Sequence, residues 1–406
     1  DMTGQIAIIG AGPSGCFLAQ ALLKARPELR VDLIDRLPVP YGLVRYGVAA
    51  DHQGTKAVTR QFARLFERQG ARFFGNVGVG SEVTLDDLRG AYDAVVLAAG
   101  LSADRALGIP GGDLPGVHGA GKLTRALYEH PEAEALPKLG THPLIVGNGN
   151  VAIDLLRLLA KSPEELDGSD LGAGPTEWLA GSGIEEITIT GRSPAAAAKF
   201  DTVMIKELAK LTGVTIRVIG AGESDDPEAQ KKLAALTALE GGDGPRRITF
   251  RFGLTPLAVE GAGQAEGVRF ATDTGEETLP CTSVLPAIGF DTPGDLPRDV
   301  LLKDETEGKL AAGLYATGWF RRGPRGTIPD NRADAKALAE RILAELTPDP
   351  GKPGATILQA LDRLTDYDGW CRIDRAETAN PPPGRCRAKI TTREDMLTLA
   401  RQEDTP

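Results

Sequence analysis

Short apolar runs alternate with stretches whose apolar residues recur every three to four positions. QIAIIG (5–10) is such a run, and PSGCFLAQALLKA (13–25) after it has helical spacing. RVDLID (30–35) is a second run; AVTRQFARLFERQG (57–70) carries an amphipathic helical stripe. ARFFGNVGVG (71–80), a capped helix at TLDDLRGAY (84–92) and the run DAVVLAAG (93–100) complete an alternating strand and helix pattern, which predicts an α/β unit ending near Gly100. Between the second run and the stripe, RLPVPYGLVRYGVAADHQGTK begins rich in proline and glycine. It reads as a long ordered loop without helix or strand, the kind of segment that often carries function.

The rhythm resumes after a turn-rich crossing at 101–142, within which KLTRALYEH is a short helical stretch. PLIVGNGNVAIDLLRLLAK (143–161) repeats the opening pattern of run, glycines and helix. An acidic, glycine-rich insertion around 162–183 precedes the strand EEITITGR, the helix TVMIKELAKL and the strand VTIRVI. The stretch 221–245 reads as a surface excursion, although KKLAALTAL within it has helical periodicity. RRITFRF, LAVEG, GVRFAT and ETLPCTSVLPAIGF form a β-rich run that closes a second domain near residue 290. Later, the strand LYATG enters a glycine-rich loop, and a helix starts near Ile328 to Asp330 with Pro329 in its first turn. The last fifty residues hold ATILQALDRL, DGWCRID, a PPPG turn and a final helix, with no catalytic motif.

The glycines at the two strand-to-helix junctions carry chemistry. Gly10, Gly12 and Gly15 follow the first strand at the spacing that lets backbone approach a pyrophosphate and helix amides face it. Asp35 ends the next strand, twenty residues past Gly15, where a carboxylate accepts from ribose hydroxyls. The second junction has Gly147, Gly149 and Ala152, but its next strand ends in Gly191, Arg192 and Ser193 with no acid. Arginine in place of the acid suits a 2′-phosphate, which points to NADP at the second site.

Composition narrows the class further. With 46 basic against 56 acidic residues the net charge is −10 and no basic run dominates, which argues against nucleic acid as the main partner. Cys16, Cys281, Cys371 and Cys386 form no C-x-x-C, so neither a metal site nor a redox-active pair is expected. No apolar stretch has the length of a bilayer span, and the start DMTGQ lacks signal-peptide features; a cytoplasmic setting is the expectation.

Two nucleotide fingerprints 137 residues apart, followed by a late ATG loop and helix, resemble the two-dinucleotide-binding-domain flavoproteins. Within that group the chain is most similar to adrenodoxin reductase and its bacterial ferredoxin-NADP reductase relatives, through GAGPSG, PVPYGLVRYGVAADH, FFGNVGVG, VGNGNVAIDL and GWFRRGPRGTI. The likeness covers residues 5–345 plus a bacterial-style tail. It implies an α/β fold of two Rossmann-like domains of three-layer ββα type. The FAD domain would be discontinuous (1–105 and 291–406, with an extension from about 350), and the NADP domain would span 106–290. It implies that FAD meets Gly10, Gly12, Ser14, Gly15, Asp35, Leu43, Val79, Trp319, Gly326, Thr327 and Ile328. NADP would meet Asn148, Gly149, Asn150, Val151, Arg192, Ser193, Glu207 and Gly326, while His52 and Glu207 would sit beside the flavin as catalytic residues. From residue chemistry alone, His52 also admits a structural or solvated role, and Glu207 that of a helix-surface acid. Two positions depart from the family pattern: Ser193 stands where a second arginine is usual, and Ala50 where a proline is common.

The implied activity is transfer from NADPH through FAD to a ferredoxin-type iron-sulfur protein, met transiently; the sequence does not fix the oligomeric state, with a monomer the expectation, and Arg45, Arg321, Arg322 and Arg325 are candidate docking cations or an ordinary solvated surface. The alternatives are a flavin-dependent monooxygenase or oxidase of a small organic substrate, and a non-catalytic NADP-binding protein. Which ferredoxin serves, how strictly NADPH is preferred and what the tail does are not written in the sequence.

Overall fold

The computed structural model describes residues 3–292 and 296–402. The chain divides into two compact units, one of residues 1–103, 130–132 and 290–406, the other of residues 104–129 and 133–289.

The first unit is built on a six-stranded sheet in the order Lys309–Ala311, Leu314–Ala316, Ala94–Leu97, Gln5–Ile9, Arg30–Ile34, Arg72–Phe74. All pairs are parallel except the edge pair of Lys309–Ala311 with Leu314–Ala316. Successive side chains on a strand face opposite ways, and both faces are covered. Ile6, Ile8, Val31, Leu33 and Val96 pack with Leu18 and Leu22 of the helix Pro13–Ala25 and with Leu338 and Ile342 of the helix Ile328–Glu345. Ala7, Ile9, Ile34, Val95 and Leu97 point the other way, onto Val77, Val79, Leu88 and Phe320. Each such aliphatic side chain contributes about 1.5–3 kcal/mol by leaving water, so a sheet buried on both faces fixes where its carboxyl ends emerge.

The second unit has a five-stranded parallel sheet in the order Ser283–Pro286, Pro143–Val146, Glu186–Thr190, Arg246–Arg251, Val214–Ile219. A three-stranded antiparallel sheet, Thr255–Glu260, Gly267–Thr272 and Gly275–Pro280, lies over one face, with Val259, Val268 and Phe270 packed on Leu144, Val146 and Val284. Helices including Asn150–Ala160 complete the layers, so this unit is of the ββα type.

Three segments carry more helix than their composition suggests. The loop after Asp35 holds two short helices, Gly42–Tyr46 and Gln53–Lys56, because its prolines end at Pro40 and the consecutive Val44, Arg45 and Tyr46 are then buried. The insertion after residue 161 contains a 3₁₀ turn at Pro163–Leu166, capped by Ser162 and Glu165, and a helix at Ala173–Ala180. The excursion near 221–245 is largely the helix Pro227–Leu239, started by Asp226, whose side chain accepts from the Ala229 N–H.

Candidate functional site

In the first unit the glycine loop is held by contacts that leave no room for larger residues. Gly10 has φ +117°, and a Cβ there would lie 2.2 Å from the Ala98 carbonyl oxygen. A Cβ on Gly15 would lie 2.0 Å from the Gly10 carbonyl, so helix and turn touch backbone to backbone. Asp35 braces the loop: Oδ2 accepts from the Ala11 N–H at 2.9 Å and Oδ1 from the Leu37 N–H at 3.0 Å. Burial pushes its carboxyl up, an effect these backbone donors partly offset. Each oxygen retains a second lone pair, so a ribose hydroxyl can still be accepted. Tyr41 donates its N–H to the Ala11 carbonyl at 2.7 Å and takes φ +83°, a strained conformation of the kind that clusters at ligand clamps. Leu43 follows, 40% exposed.

The late loop reaches the same place. A Cβ on Gly318 would meet the Ser14 Oγ at 2.0 Å, with the Asn331 Oδ1 3.6 Å away. Ser14, Gly318 and the helix Ile328–Glu345 therefore converge, although some 300 residues separate them in sequence. Trp319 lies parallel to Phe290, ring centroids 6.0 Å apart, and its Nε1 donates to the Gly326 carbonyl at 3.3 Å. Thr327 caps the helix in a reciprocal box with Asp330, whose carboxyl is held below the usual range by the Thr327 backbone and hydroxyl. Val79 is buried and bridges to Val83. His52 is half-buried at the start of Gln53–Lys56, its carbonyl accepting from the Lys56 N–H.

The second unit repeats the turn. Gly147, at φ +112°, donates its N–H to the Thr190 carbonyl at 2.9 Å, and a Cβ there would lie 2.3 Å from the Ala287 oxygen. Asn148 is buried against Gly191, and its Nδ2 is a buried donor without a hydrogen-bond partner. An unsatisfied buried amide costs about 1–3 kcal/mol, and a phosphate oxygen would satisfy it. Asn150 is tied to Asp201, the cap of the helix Thr202–Leu208, by Nδ2 to Oδ2 at 2.9 Å and by the Asp201 N–H to Oδ1 at 3.0 Å. Glu207, on that helix, faces the buried guanidinium of Arg157 at 3.3 Å, which also binds Asp154 at 2.7 Å. Thus the helix carrying Glu207 is fastened to the glycine-loop helix at both ends. Gly149 and Val151 are half-buried, Arg192 is exposed and Ser193 is half-buried. His52 belongs to the first unit and Glu207 to the second.

Of the four docking cations, three are engaged. Arg45 is buried, with both terminal nitrogens on Glu377 at 2.7 and 2.5 Å, so it cannot form part of a surface rim. Arg321 pairs with Glu305 at 2.7 Å and Arg322 with Asp334, while Arg325 is exposed. Sequence reading missed Arg157 and Glu377 altogether. A charged residue inside a strongly apolar helical stripe, as in NVAIDLLRLLA, was the available signal for the first; Glu377 offered none. All four cysteines are free thiols, and burial pushes Cys16 and Cys281 up, the latter to about 11.

Residues 4–244 match the family described as pyridine nucleotide-disulphide oxidoreductase. The chain is 40% identical to cindoxin reductase of Citrobacter braakii, over 99% of this chain and 92% of that protein. It is 35% identical to the NADPH-ferredoxin reductase FprA of Mycobacterium leprae, over 97% and 98%. The solved structure of Mycobacterium tuberculosis FprA in complex with NADPH superposes with a TM-score of 0.91 at 32% identity, covering 98% of this chain and 99% of that one.

Proposed function

The chain belongs to the pyridine nucleotide-disulphide oxidoreductase family, among its NADPH-ferredoxin reductases, and from that premise we propose that it is an FAD-dependent NADPH:ferredoxin reductase. The observation that carries this reading is a pair of equivalent glycine turns with opposite chemistry at the next strand end. Asp35 offers acceptors for a ribose diol, whereas Arg192 offers a cation for a 2′-phosphate. FAD, when bound, supplies the chemistry, taking a hydride from NADPH and releasing its electrons singly.

The protein's residues supply position. The first unit would hold FAD: the Gly10–Gly15 turn would bring helix amides to its pyrophosphate and Asp35 would accept from its ribose, while Ser14 and Gly318 meet where the late loop crosses. Leu43, Val79, Trp319 and the Gly326, Thr327 and Ile328 backbone are the further residues that would hold it. Asn148 donates to the NADP pyrophosphate together with Gly149, Asn150 and Val151, and Arg192 with Ser193 holds the 2′-phosphate. His52 in the first unit and Glu207 in the second are the proton- and charge-balancing residues of this reading, each taken within its own unit, with Glu207 oriented by Arg157. The domain division is then an FAD domain of two segments and an NADP domain between them. The protein is taken as a monomer in this reading, and four free thiols support a reducing, cytoplasmic setting. The ferredoxin partner is met transiently, as electron-transfer encounters bury little surface, with Arg325 as the exposed cation near the late loop.

The test is anaerobic mixing of the flavin-loaded protein with NADPH, followed by a ferredoxin. Bleaching of the flavin and ferredoxin-accelerated return of its colour are expected. Bleaching without acceleration by ferredoxin assigns the electrons elsewhere and defeats the reading.

A further inference from the structure

Residues 41–56 carry two of the residues of the functional reading, Leu43 and His52, yet their regular structure is two helices of five and four residues, Gly42–Tyr46 and Gln53–Lys56. Helices that short do not hold themselves in water. The segment also begins on Tyr41 at φ +83°, a strain of about 1–3 kcal/mol that the surroundings must offset. Its arrangement is therefore imposed from outside.

The support comes from the helix Tyr367–Ala379 in the C-terminal segment. Its Glu377 is fully buried and accepts from both terminal nitrogens of Arg45, at 2.7 and 2.5 Å. The same carboxylate accepts from Arg387 at 2.7 Å and from the Ile390 N–H at 2.8 Å, so it is fixed from two further directions. The Arg45 guanidinium lies 5.2 Å from the centre of the Trp370 ring and 5.0 Å from that of Tyr46. A bidentate fork of this kind sets the direction of a guanidinium as well as its place. From Arg45 the restraint passes along the backbone. The Arg45 carbonyl lies in the last turn of its helix, where carbonyls need a partner from elsewhere, and the buried Lys56 donates its Nζ to it at 3.2 Å. The Lys56 N–H donates to the His52 carbonyl at 3.1 Å, and the His52 N–H to the Ala49 carbonyl at 2.9 Å. Glu377, Arg45, Lys56 and His52 are thus joined by consecutive hydrogen bonds inside the first unit.

We propose that Glu377 is a positioning residue for His52: the C-terminal helix, acting through Arg45 and Lys56, holds the loop that presents His52 for the reaction. This rests on the reading that His52 takes part in flavin reduction by NADPH. It gives the segment after residue 350, which contains no recognisable motif, a part in turnover.

Two measurements on the full-length protein test it. In hydrogen–deuterium exchange, Glu377→Gln should speed exchange across residues 47–57 by at least about tenfold in the first minutes, while the strands Gln5–Ile9 and Arg30–Ile34 stay protected. In stopped-flow reduction of the flavin-loaded protein by saturating NADPH, Glu377→Gln is read in wild-type and His52→Ala backgrounds. A misplacement near 1 Å costs up to about 10²-fold, so a loss of roughly tenfold is expected with His52 present and of less than about twofold without it. The NADPH concentration giving half the maximal rate should stay within about twofold. Lys56→Met leaves the buried ion pair in place and should repeat both results more weakly, which carries the test if Glu377→Gln does not fold. Unchanged exchange at 47–57, or the same fold-loss of rate in both backgrounds, would mean that Glu377 only supports the fold; either overturns the proposal. A His52→Ala protein reduced as fast as wild type also overturns it, while leaving the flavin reading in place. Wild-type protein that NADPH does not reduce overturns the functional reading itself, and the proposal with it.

Discussion

Replacing Glu377 by glutamine tests how much the first unit depends on its C-terminal segment. The carboxylate is fully buried and accepts from Arg45 at 2.7 and 2.5 Å, Arg387 at 2.7 Å and the Ile390 N–H at 2.8 Å. Glutamine keeps the volume and removes the charge. Arg387 retains Asp374 at 2.7 Å, so the principal loss falls on Arg45, a guanidinium buried among Tyr46 and Trp370. Stranding one buried charge costs about 3–5 kcal/mol, and with Arg387 still paired the lower end applies, about 3 kcal/mol. For a unit of roughly 150–250 residues this lowers the melting temperature by about 6–12 °C. Flavin fluorescence during a thermal ramp reads the transition, since release of the cofactor reports unfolding of the first unit. The effect must also depend on pH. Burial pushes the Glu377 carboxyl up, but Arg45 and Arg387 outweigh it and hold it below its usual value. A depressed folded pKa gives stability that is complete above the unfolded value, near 4.3, and is lost as pH falls through the folded one. The gap between wild type and Glu377→Gln should therefore be constant above about pH 5 and shrink below about pH 4. A shift smaller than about 2 °C at pH 7, or one that persists unchanged in acid, would refute the reasoning.

Two further outcomes follow from the glycine loops. Gly10→Ala places a Cβ 2.2 Å from the Ala98 carbonyl at a φ of +117°; strain of at least about 1–3 kcal/mol plus the clash should abolish flavin loading, measured as the flavin-to-protein absorbance ratio, and full loading would contradict the tight turn. Arg192→Gln removes one charge-assisted contact worth about 1.5–3 kcal/mol, so KM for NADPH should rise about 10- to 150-fold with kcat and the NADH kinetics unchanged; equal losses for both coenzymes would show that Arg192 does not read the 2′-phosphate.

Local sequence determined the elements and the nucleotide turns. Apolar run, glycine spacing and amphipathic helix are relations among neighbours, and both glycine loops lie where that pattern puts them, with Gly10 and Gly147 in the positive-φ conformation the turn demands. The acid at Asp35 and its replacement by Arg192 are legible for the same reason, because each ends the strand next to its own loop. Tertiary structure decided which charges are available. Arg45 reads as a surface cation beside the flavin loop, but Glu377, 332 residues away, reaches it in the core and takes it out of any docking surface. Likewise Arg157 meets Glu207 in the second unit, and Gly318 meets Ser14 and Arg393 meets Arg36 in the first, only because each unit's own sheet and covering helices bring distant segments of that unit together. No periodicity encodes such pairs: the partner is chosen by where the buried faces pack.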